Sequence, residues 1–447
     1  MKVLKFGGTS VGKPERMRSV EQLCPPKEPV FLVLSAITGV TNALVEISAL
    51  ATNGELTQAL AKVGDLETLH RNFASQLYAQ PHSLEKAQTF LTQEFGKIRA
   101  TVETKSFGIT QERILLAEGE ILSTHLFSFY AQEVGREAVL LDALSFMKID
   151  ENEEPVLEHI EQHLQVVMQK TPHTQLWITQ GYICRNAQGE VDNLKRGGSD
   201  YTASLVGAAL RAQEVQIWTD IDGMHNNDPR IVKNTFPIAE LSFDEAAELA
   251  YFGAKILHPA TILPAQKYNI PVRLLNTMQP EAQGTIIHNA VQNKGIIKSI
   301  AAKDGITAIK IRSSRMLLAY GFLRRIFEIF ESYKTPIDMI TTSEVAVSLT
   351  IDQDKHLEAI CQELEKLGVV EIDTDQTIIC LVGNQLSQAQ GLTAKVLKAV
   401  EELPVRMVSI GGSAHNISLL LPSSHKNYAL NVLNEGLFTK QAQHSSY

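Results

Sequence analysis

From the first residue to about residue 290, short apolar runs alternate with longer stretches of helical spacing. Val3 to Phe6, Val30 to Leu34, Ala138 to Leu141, Leu176 to Thr179, Val215 to Thr219 and Val272 to Leu275 are short and largely apolar, as strands buried on both faces are. Helical patterns fill the gaps, among them Gln111 to Gln132 and a segment after Ser242, where Ser242 and Glu245 have the spacing of a capping box. Gly181 to Gly198, with Asn186-Ala187-Gln188-Gly189 at its middle, predicts a hairpin that runs into a glycine pair. This alternation predicts an α/β domain with a mainly parallel sheet between two helical layers.

The texture changes after Asn293-Lys294-Gly295. Ala308 to Ile311, Pro336 to Ile340, Val345 to Ile351, Val369 to Ile372, Ile378 to Val382, Val405 to Ser409 and Asn416 to Leu421 read as strands. Leu323 to Tyr333, Lys355 to Lys366, Thr393 to Leu403 and Lys426 to Gly436 read as helices. A β-α-β-β-α-β rhythm occurs about twice, which predicts two small ferredoxin-like units in tandem. The expected division is a first domain over 1–293 and a tail over 294–447, the tail's units covering about 306–375 and 376–440 with room for strand exchange.

Composition narrows the functional classes. The 447 residues are 44% hydrophobic and 20% charged, the mix of a soluble globular chain of two to three domains. A net charge of -9 without a dense Lys/Arg stripe lacks the electrostatic term that dominates nucleic-acid affinity, so no nucleic-acid partner is expected. Cys24, Cys184, Cys361 and Cys380 are scattered, fitting neither a zinc knuckle nor a disulfide framework. Lys5 interrupts the first apolar run, and the run from Val30 to Ile37 is far short of the roughly 20 residues of a membrane span. A cytoplasmic protein is expected, with no membrane partner.

Gly7 to Lys13 has the spacing of a P-loop, but Pro14 stands where that loop needs a hydroxyl for magnesium, so this reading is rejected. What remains is Lys5-Phe6-Gly7-Gly8-Thr9-Ser10, a strand-end lysine followed by glycines that let backbone N–H groups approach phosphate oxygens. A glycine turn beside a surface lysine is the plain alternative. Lys195-Arg196-Gly197-Gly198-Ser199-Asp200-Tyr201-Thr202 opens a helical pattern, and such a junction suits an anion; Asp200 can also be a mere cap. The planar fork of Arg196 suits a carboxylate. Trp218-Thr219-Asp220-Ile221-Asp222-Gly223, then Asn227-Asp228-Pro229-Arg230, follow a strand's carboxyl end, where open α/β sheets bind ligands. Phe252-Gly253-Ala254-Lys255 puts a lysine at a helix end, a place that dipole compensation alone explains equally well.

These blocks, with Ser35-Ala36-Ile37-Thr38-Gly39-Val40-Thr41-Asn42, Gly119-Glu120, Ile256-Leu257-His258-Pro259 and Ile340-Thr341-Thr342-Ser343-Glu344, resemble the aspartate kinase branch of the amino-acid kinase family, and the tail resembles paired ACT domains. The resemblance implies a three-layer αβα sandwich with a mainly parallel sheet, plus tandem ferredoxin-like α+β regulatory units. It implies transfer of the γ-phosphoryl group of ATP to L-aspartate, the first step toward lysine, threonine and methionine, under feedback control. Lys5 would stabilise the group in flight and Asp200 would orient Lys5. Arg196 and Glu120 would take the α-carboxylate and α-ammonium of aspartate, with Thr41 and Ser199 also on the substrate. Gly7, Gly8, Thr219, Asp220, His225, Arg230 and Lys255 would hold the nucleotide, and Mg2+ would bridge its phosphates without a protein-built metal site. His225 stands where relatives often carry tyrosine.

In the tail the resemblance implies an effector site with Met316, Gly321, Phe322, Leu323, Asp338, Ser343 and Glu344. Leu318 and Ala319 replace the small polar residues expected of a lysine-inhibited relative, which leaves lysine or threonine as the allosteric amino acid. A homodimer or tetramer joined through the tail is expected, because exposed edges of small sheets favour pairing. Two other readings are a glutamate or acetylglutamate kinase, and a silent amino-acid sensor. The latter predicts loss of Lys5, Arg196 or Asp200, all of which are present.

Overall fold

The computed structural model describes residues 1–195, 197–253, 258–289, 294–316 and 320–438. Contacts divide the chain into two compact units. The first comprises Met1–Met224, Ala239–Phe243 and Leu257–Ala290; the second comprises His225–Ile238, Asp244–Ile256 and Val291–Tyr447. Two internal segments, 225–238 and 244–256, therefore group with the tail.

The first unit contains β1 (Lys2–Phe6), β2 (Val30–Leu34), β3 (Ala138–Leu141), β4 (Leu176–Gln180), β5 (Ile183–Arg185), β6 (Val191–Asn193), β7 (Glu214–Thr219), β8 (Glu240–Leu241), β9 (Val272–Asn276) and β10 (Thr285–Ile287). β5 and β6 form the expected hairpin. The other strands make an eight-stranded sheet in the order β3-β4-β2-β1-β7-β9-β10-β8. Pairing is parallel except between β9 and β10. Phe6 lies level with Leu34 and Trp218, and Leu34 with Gln180, so β4, β2, β1 and β7 end in one row.

Side chains alternate between the faces of this sheet. Leu4, Phe6, Leu32, Leu34, Leu176 and Ile178 enter a core with α2 (Pro14–Leu23), α3 (Val40–Thr52), α4 (Leu56–Leu77), α5 (Pro81–Val102) and α6 (Ile109–Glu133), which follow the short α1 (Gly8–Val11). Val3, Phe31 and Val33, buried on the opposite face, belong to the layer where α8 (Gly198–Leu210) packs on β1, β2 and β7, flanked by α7 (Leu157–Gln169) and, after α9 (Phe243–Tyr251), α10 (Pro259–Lys267). Each fully buried Leu or Phe contributes about 1.5–3 kcal/mol, so the central strands are clamped from both sides.

The second unit holds one six-stranded sheet in the order β12-β13-β11-β14-β16-β15. Its strands are β11 (Ile296–Arg312), β12 (Ile340–Thr342), β13 (Ala346–Ile351), β14 (Val369–Asn384), β15 (Met407–Ile410) and β16 (Asn416–Pro422). Its further helices are α11 (Phe322–Ser332), α12 (Leu357–Glu365), α13 (Leu392–Ala399) and α14 (Lys426–Phe438). β11 and β14 are 17 and 16 residues long and pair antiparallel, with register shifts between Ile297 and Ser299 and from Lys303 to Ala308. Their halves serve different cores. Ile309 and Ile311 pack with α11 and α12, whereas Ile297, Ile300, Ile379 and Leu381 pack with α13 and α14. The second half-sheet thus takes its fourth strand from residues that precede the first. Pro336 to Ile340, expected as a strand, enters the ladder only at Ile340; Pro336 has no N–H to donate. Asp338 and Met339 instead bond Thr350 through their backbone N–H groups.

Candidate active site

Lys5 occupies the β1 position between Leu4 and Phe6, so its side chain leaves the sheet toward the α8 layer. There its Nζ lies 2.7 Å from Oδ1 of Asp200, in the first turn of α8, with both side chains more than 85% buried. The glycines fix the approach on either side. A Cβ on Gly7 would stand 3.4 Å from the Lys5 ammonium, and one on Gly8 only 2.9 Å from the carbonyl oxygen of Ala36. At Gly8 the chain can pass this close to the Ala36 carbonyl only without a side chain, whereas a Cβ on Gly7 would meet the Lys5 ammonium at ordinary contact distance.

α8 starts at Gly198 after Gly197, whose φ of +67° is left-handed. Its amino end rests on the end of β4: a Cβ on Gly181 would fall 2.4 Å from Oγ of the buried Ser199. Tyr182 donates its backbone N–H to Thr202, and a Cβ on Gly198 would strike the Tyr182 ring at 2.4 Å. The helix start, with its outward N–H groups and positive dipole end, is thereby held beside the row of strand ends.

From the opposite layer comes Glu120, on α6. It is buried, and its Oε1 accepts the backbone N–H of Ala36 at 3.3 Å, while Oε2 has no hydrogen-bond partner among the described residues. Burial pushes its carboxyl up to about 8, against the lowering effects of the backbone N–H groups and the Lys5 charge. An ionised Glu120 therefore needs a cation brought to it. Gly119 lets α6 approach this closely, since a Cβ there would meet that of Ala36 at 2.9 Å and Val40 at 3.6 Å. Val40 opens α3, and Thr41 is its second residue.

Thr219 ends β7 beside β1, and its hydroxyl donates to Asp220 at 3.1 Å. Lys5, Gly7, Gly8, Glu120, Ser199 and Asp200 are linked by these contacts, with Thr41, Thr219 and Asp220 on elements that adjoin them. Arg196 and Lys255 lie outside the described residues. The roles of Ala36, through its N–H, and of Gly181 and Tyr182 at the start of α8 were not singled out from the sequence. Gly181 carried a signal, since it closes an apolar run at the hairpin entrance.

Comparison with known proteins decides the family. Residues 1–276 match the amino acid kinase family and residues 379–437 an ACT domain. Lysine-sensitive aspartokinase 3 of Escherichia coli is 34% identical over 448 residues, covering 98% of this chain and 99% of that protein. The chain belongs to the amino acid kinase family, among its aspartokinases. The crystal structure of E. coli aspartokinase III in complex with aspartate and ADP, in an R-state, is 32% identical, with a TM-score of 0.83 over 98% of this chain and 100% of that one. The same enzyme with lysine and aspartate, in a T-state, is 33% identical with a TM-score of 0.80, covering 98% and 99%.

In this aspartokinase the remaining residues singled out from the sequence lie in the second unit. His225 faces Thr235 at 3.2 Å, and Arg230 forms a two-point pair with Asp228 at 2.9 and 2.7 Å. That guanidinium holds the Asp228 carboxyl below its usual range. Gly321, with φ of +80°, caps α11, which begins with the buried Phe322 and the exposed Leu323. Met316 packs on the same core as Phe322. Asp338 is buried between Lys303 at 2.7 Å and the hydroxyl of Tyr251, which donates to it at 2.6 Å. Ser343 bonds Ala346, and Glu344 is exposed. All four cysteines are buried and free.

The packing of α8 on Gly181 gives a direct expectation. Gly181→Ala puts a Cβ 2.9 Å from the Ser199 backbone, so that backbone must move, and a misplacement of about 1 Å at a reacting centre reduces rate about a hundredfold. Steady-state kcat/KM for aspartate should fall by about that factor, while circular dichroism shows the same secondary structure.

Proposed function

We propose that the chain transfers the γ-phosphoryl group of ATP to the β-carboxylate of L-aspartate, giving 4-phospho-L-aspartate and ADP. The observation that carries this reading is the Lys5–Asp200 ion pair at the end of β1, bounded by Gly7, Gly8 and the amino end of α8. Phosphoryl transfer asks for positioning and charge stabilisation more than covalent help. Lys5 supplies a cation for the oxygens of the group in flight, and Asp200 fixes its direction. No base is needed, since the attacking carboxylate is ionised at neutral pH. Glu120 meets the α-ammonium of aspartate, and Arg196 the α-carboxylate, with Thr41 and Ser199 on the substrate. Thr219, Asp220, His225, Arg230 and Lys255 hold the nucleotide.

Magnesium would neutralise charge on the phosphates. Among the described residues no group of three His, Cys, Asp or Glu side chains is arranged to hold a metal, and the proposal assigns the ion to the nucleotide. The E. coli relative with aspartate and ADP supports both substrates, and its lysine complex supports an amino-acid effector. We propose that this effector binds in the tail with Asp338, and that the tail's edge strands β12 and β15 support a homodimer or tetramer. No helix among the described residues is long and apolar enough to cross a membrane.

The test is ADP release with Mg-ATP and each of aspartate, glutamate and N-acetylglutamate, the acyl phosphate being trapped with hydroxylamine. Release that depends on aspartate alone is expected, altered by lysine or threonine. Release indifferent to aspartate, or faster with glutamate, overturns the assignment.

A further inference from the structure

We infer that Asn434, on the last helix, is a positioning residue for the nucleotide: it sets the turn from which Arg230 projects. This rests on the reading above that Arg230 contacts ATP.

The chain leaves the end of β7 at Thr219, and from His225 onward it belongs to the second unit. Residues 225–238 are fastened there at many points. Oγ of Ser299 donates to the carbonyl of His225 at 2.7 Å, and the N–H of Ile300 donates to that of Asn226 at 2.9 Å, so the segment follows β11. Asn226 closes the loop, since its backbone N–H donates to the carbonyl of Phe236 and its Oδ1 accepts the N–H of Phe236 at 2.8 Å. Val232 lies in the core of α13 and α14, and the Phe236 ring meets Phe438 edge-on at 5.8 Å.

Within this apolar packing sit three buried amides. Oδ1 of Asn434 accepts from Nδ2 of Asn226 at 3.0 Å and, more distantly, from Nδ2 of Asn227 at 3.4 Å. Asn227 also donates to the carbonyl of Leu430 at 3.1 Å. Burying amides is unfavourable unless each is bonded, and a satisfied network of this kind specifies one arrangement where apolar packing tolerates several. The arrangement continues outward. Oδ1 of Asn227 accepts the N–H of Asp228, whose carboxylate takes the backbone N–H of Arg230 at 2.9 Å and grips its guanidinium. An unbroken series of contacts thus runs from α14 to Arg230, whose side chain is 84% exposed.

Asn434→Leu keeps the number of side-chain heavy atoms and the branch at Cγ and removes the acceptor; Asn434→Asp keeps the acceptor. Initial rates with ATP varied should show the KM for ATP raised about tenfold in Asn434→Leu, with kcat and the KM for aspartate within twofold of the parent, and largely restored in Asn434→Asp. Combined with Arg230→Ala, the leucine variant should add little further, because both act through one guanidinium. An unchanged KM for ATP in a folded Asn434→Leu, or full additivity, overturns the inference. Should that variant fail to fold, Asn227→Ala, which removes the outer link, is measured in the same cycle with the same two criteria. Arg230→Ala alone separates the premises. If it leaves the KM for ATP unchanged, the nucleotide reading of this loop fails; if it raises the KM while the Asn434 and Asn227 variants do not, only the positioning role fails.

Discussion

Lys5→Ala should lower kcat by about a hundred- to a thousandfold, the range seen when one preorganised donor is taken from a developing charge. The Lys5 side chain is more than 85% buried beside Asp200, so its charge acts at close range with little screening by water. Removing it also leaves the Asp200 carboxylate in a dry place without its cation, which destabilises the fold by ~1–2 kcal/mol. The two effects separate in the double variant with Asp200→Asn. Thermal melting should recover toward the parent value, while turnover measured by ADP release stays at the level of Lys5→Ala or below. Full turnover in Lys5→Ala would remove the role assigned to this side chain.

Glu120→Gln should raise the KM for aspartate by about a hundredfold, the effect of deleting one partner of a buried charge pair, with a smaller change in kcat. It should also stabilise the ligand-free enzyme. The Glu120 carboxyl titrates near 8 in the fold against a reference of 4.5, so the fold disfavours its ionised form. Below about pH 4.5 it is protonated folded or unfolded and contributes nothing. Between about 4.5 and 8 folding takes up a proton, so stability falls as pH rises, and above 8 the full penalty of a few kcal/mol remains. Glutamine lacks that penalty, so the melting advantage of Glu120→Gln should grow from about pH 5 to about pH 9. The same titration predicts that the parent's KM for aspartate falls as pH rises toward 8, and that binding near pH 7 releases a proton. A flat KM profile, or equal melting at both ends of the range, would count against a buried carboxyl waiting for an ammonium.

The first unit was legible because parallel strands clamped on both faces are apolar almost throughout, and the Val30 to Leu34 and Leu176 to Thr179 runs coincide with β2 and β4. The long strands of the second unit were not. Lys303-Asp304-Gly305 and Asp373-Thr374-Asp375 have turn composition, and Gly305 and Asp375 do adopt positive φ, at 73° and 54°; yet the pairing continues past them as irregularities in one ladder. Cross-strand partners distant in sequence override that local signal. At the site, residue type and spacing suggested that Lys5 and the Gly197-Gly198 junction handle anions. That Lys5 would face Asp200 depends on β1 alternation and on α8 lying over the Gly181 end of β4, which only the assembled sheet determines.

The crossed halves of the second sheet dictate an order of events on the ribosome. Residues 296–303 emerge early but find their partners only when 376–384 have been made, and until then they present an unpaired apolar edge. The two lobes of the tail must mature as one cooperative body. Excising either lobe would strand half of a long ribbon and invite pairing with a neighbouring nascent chain.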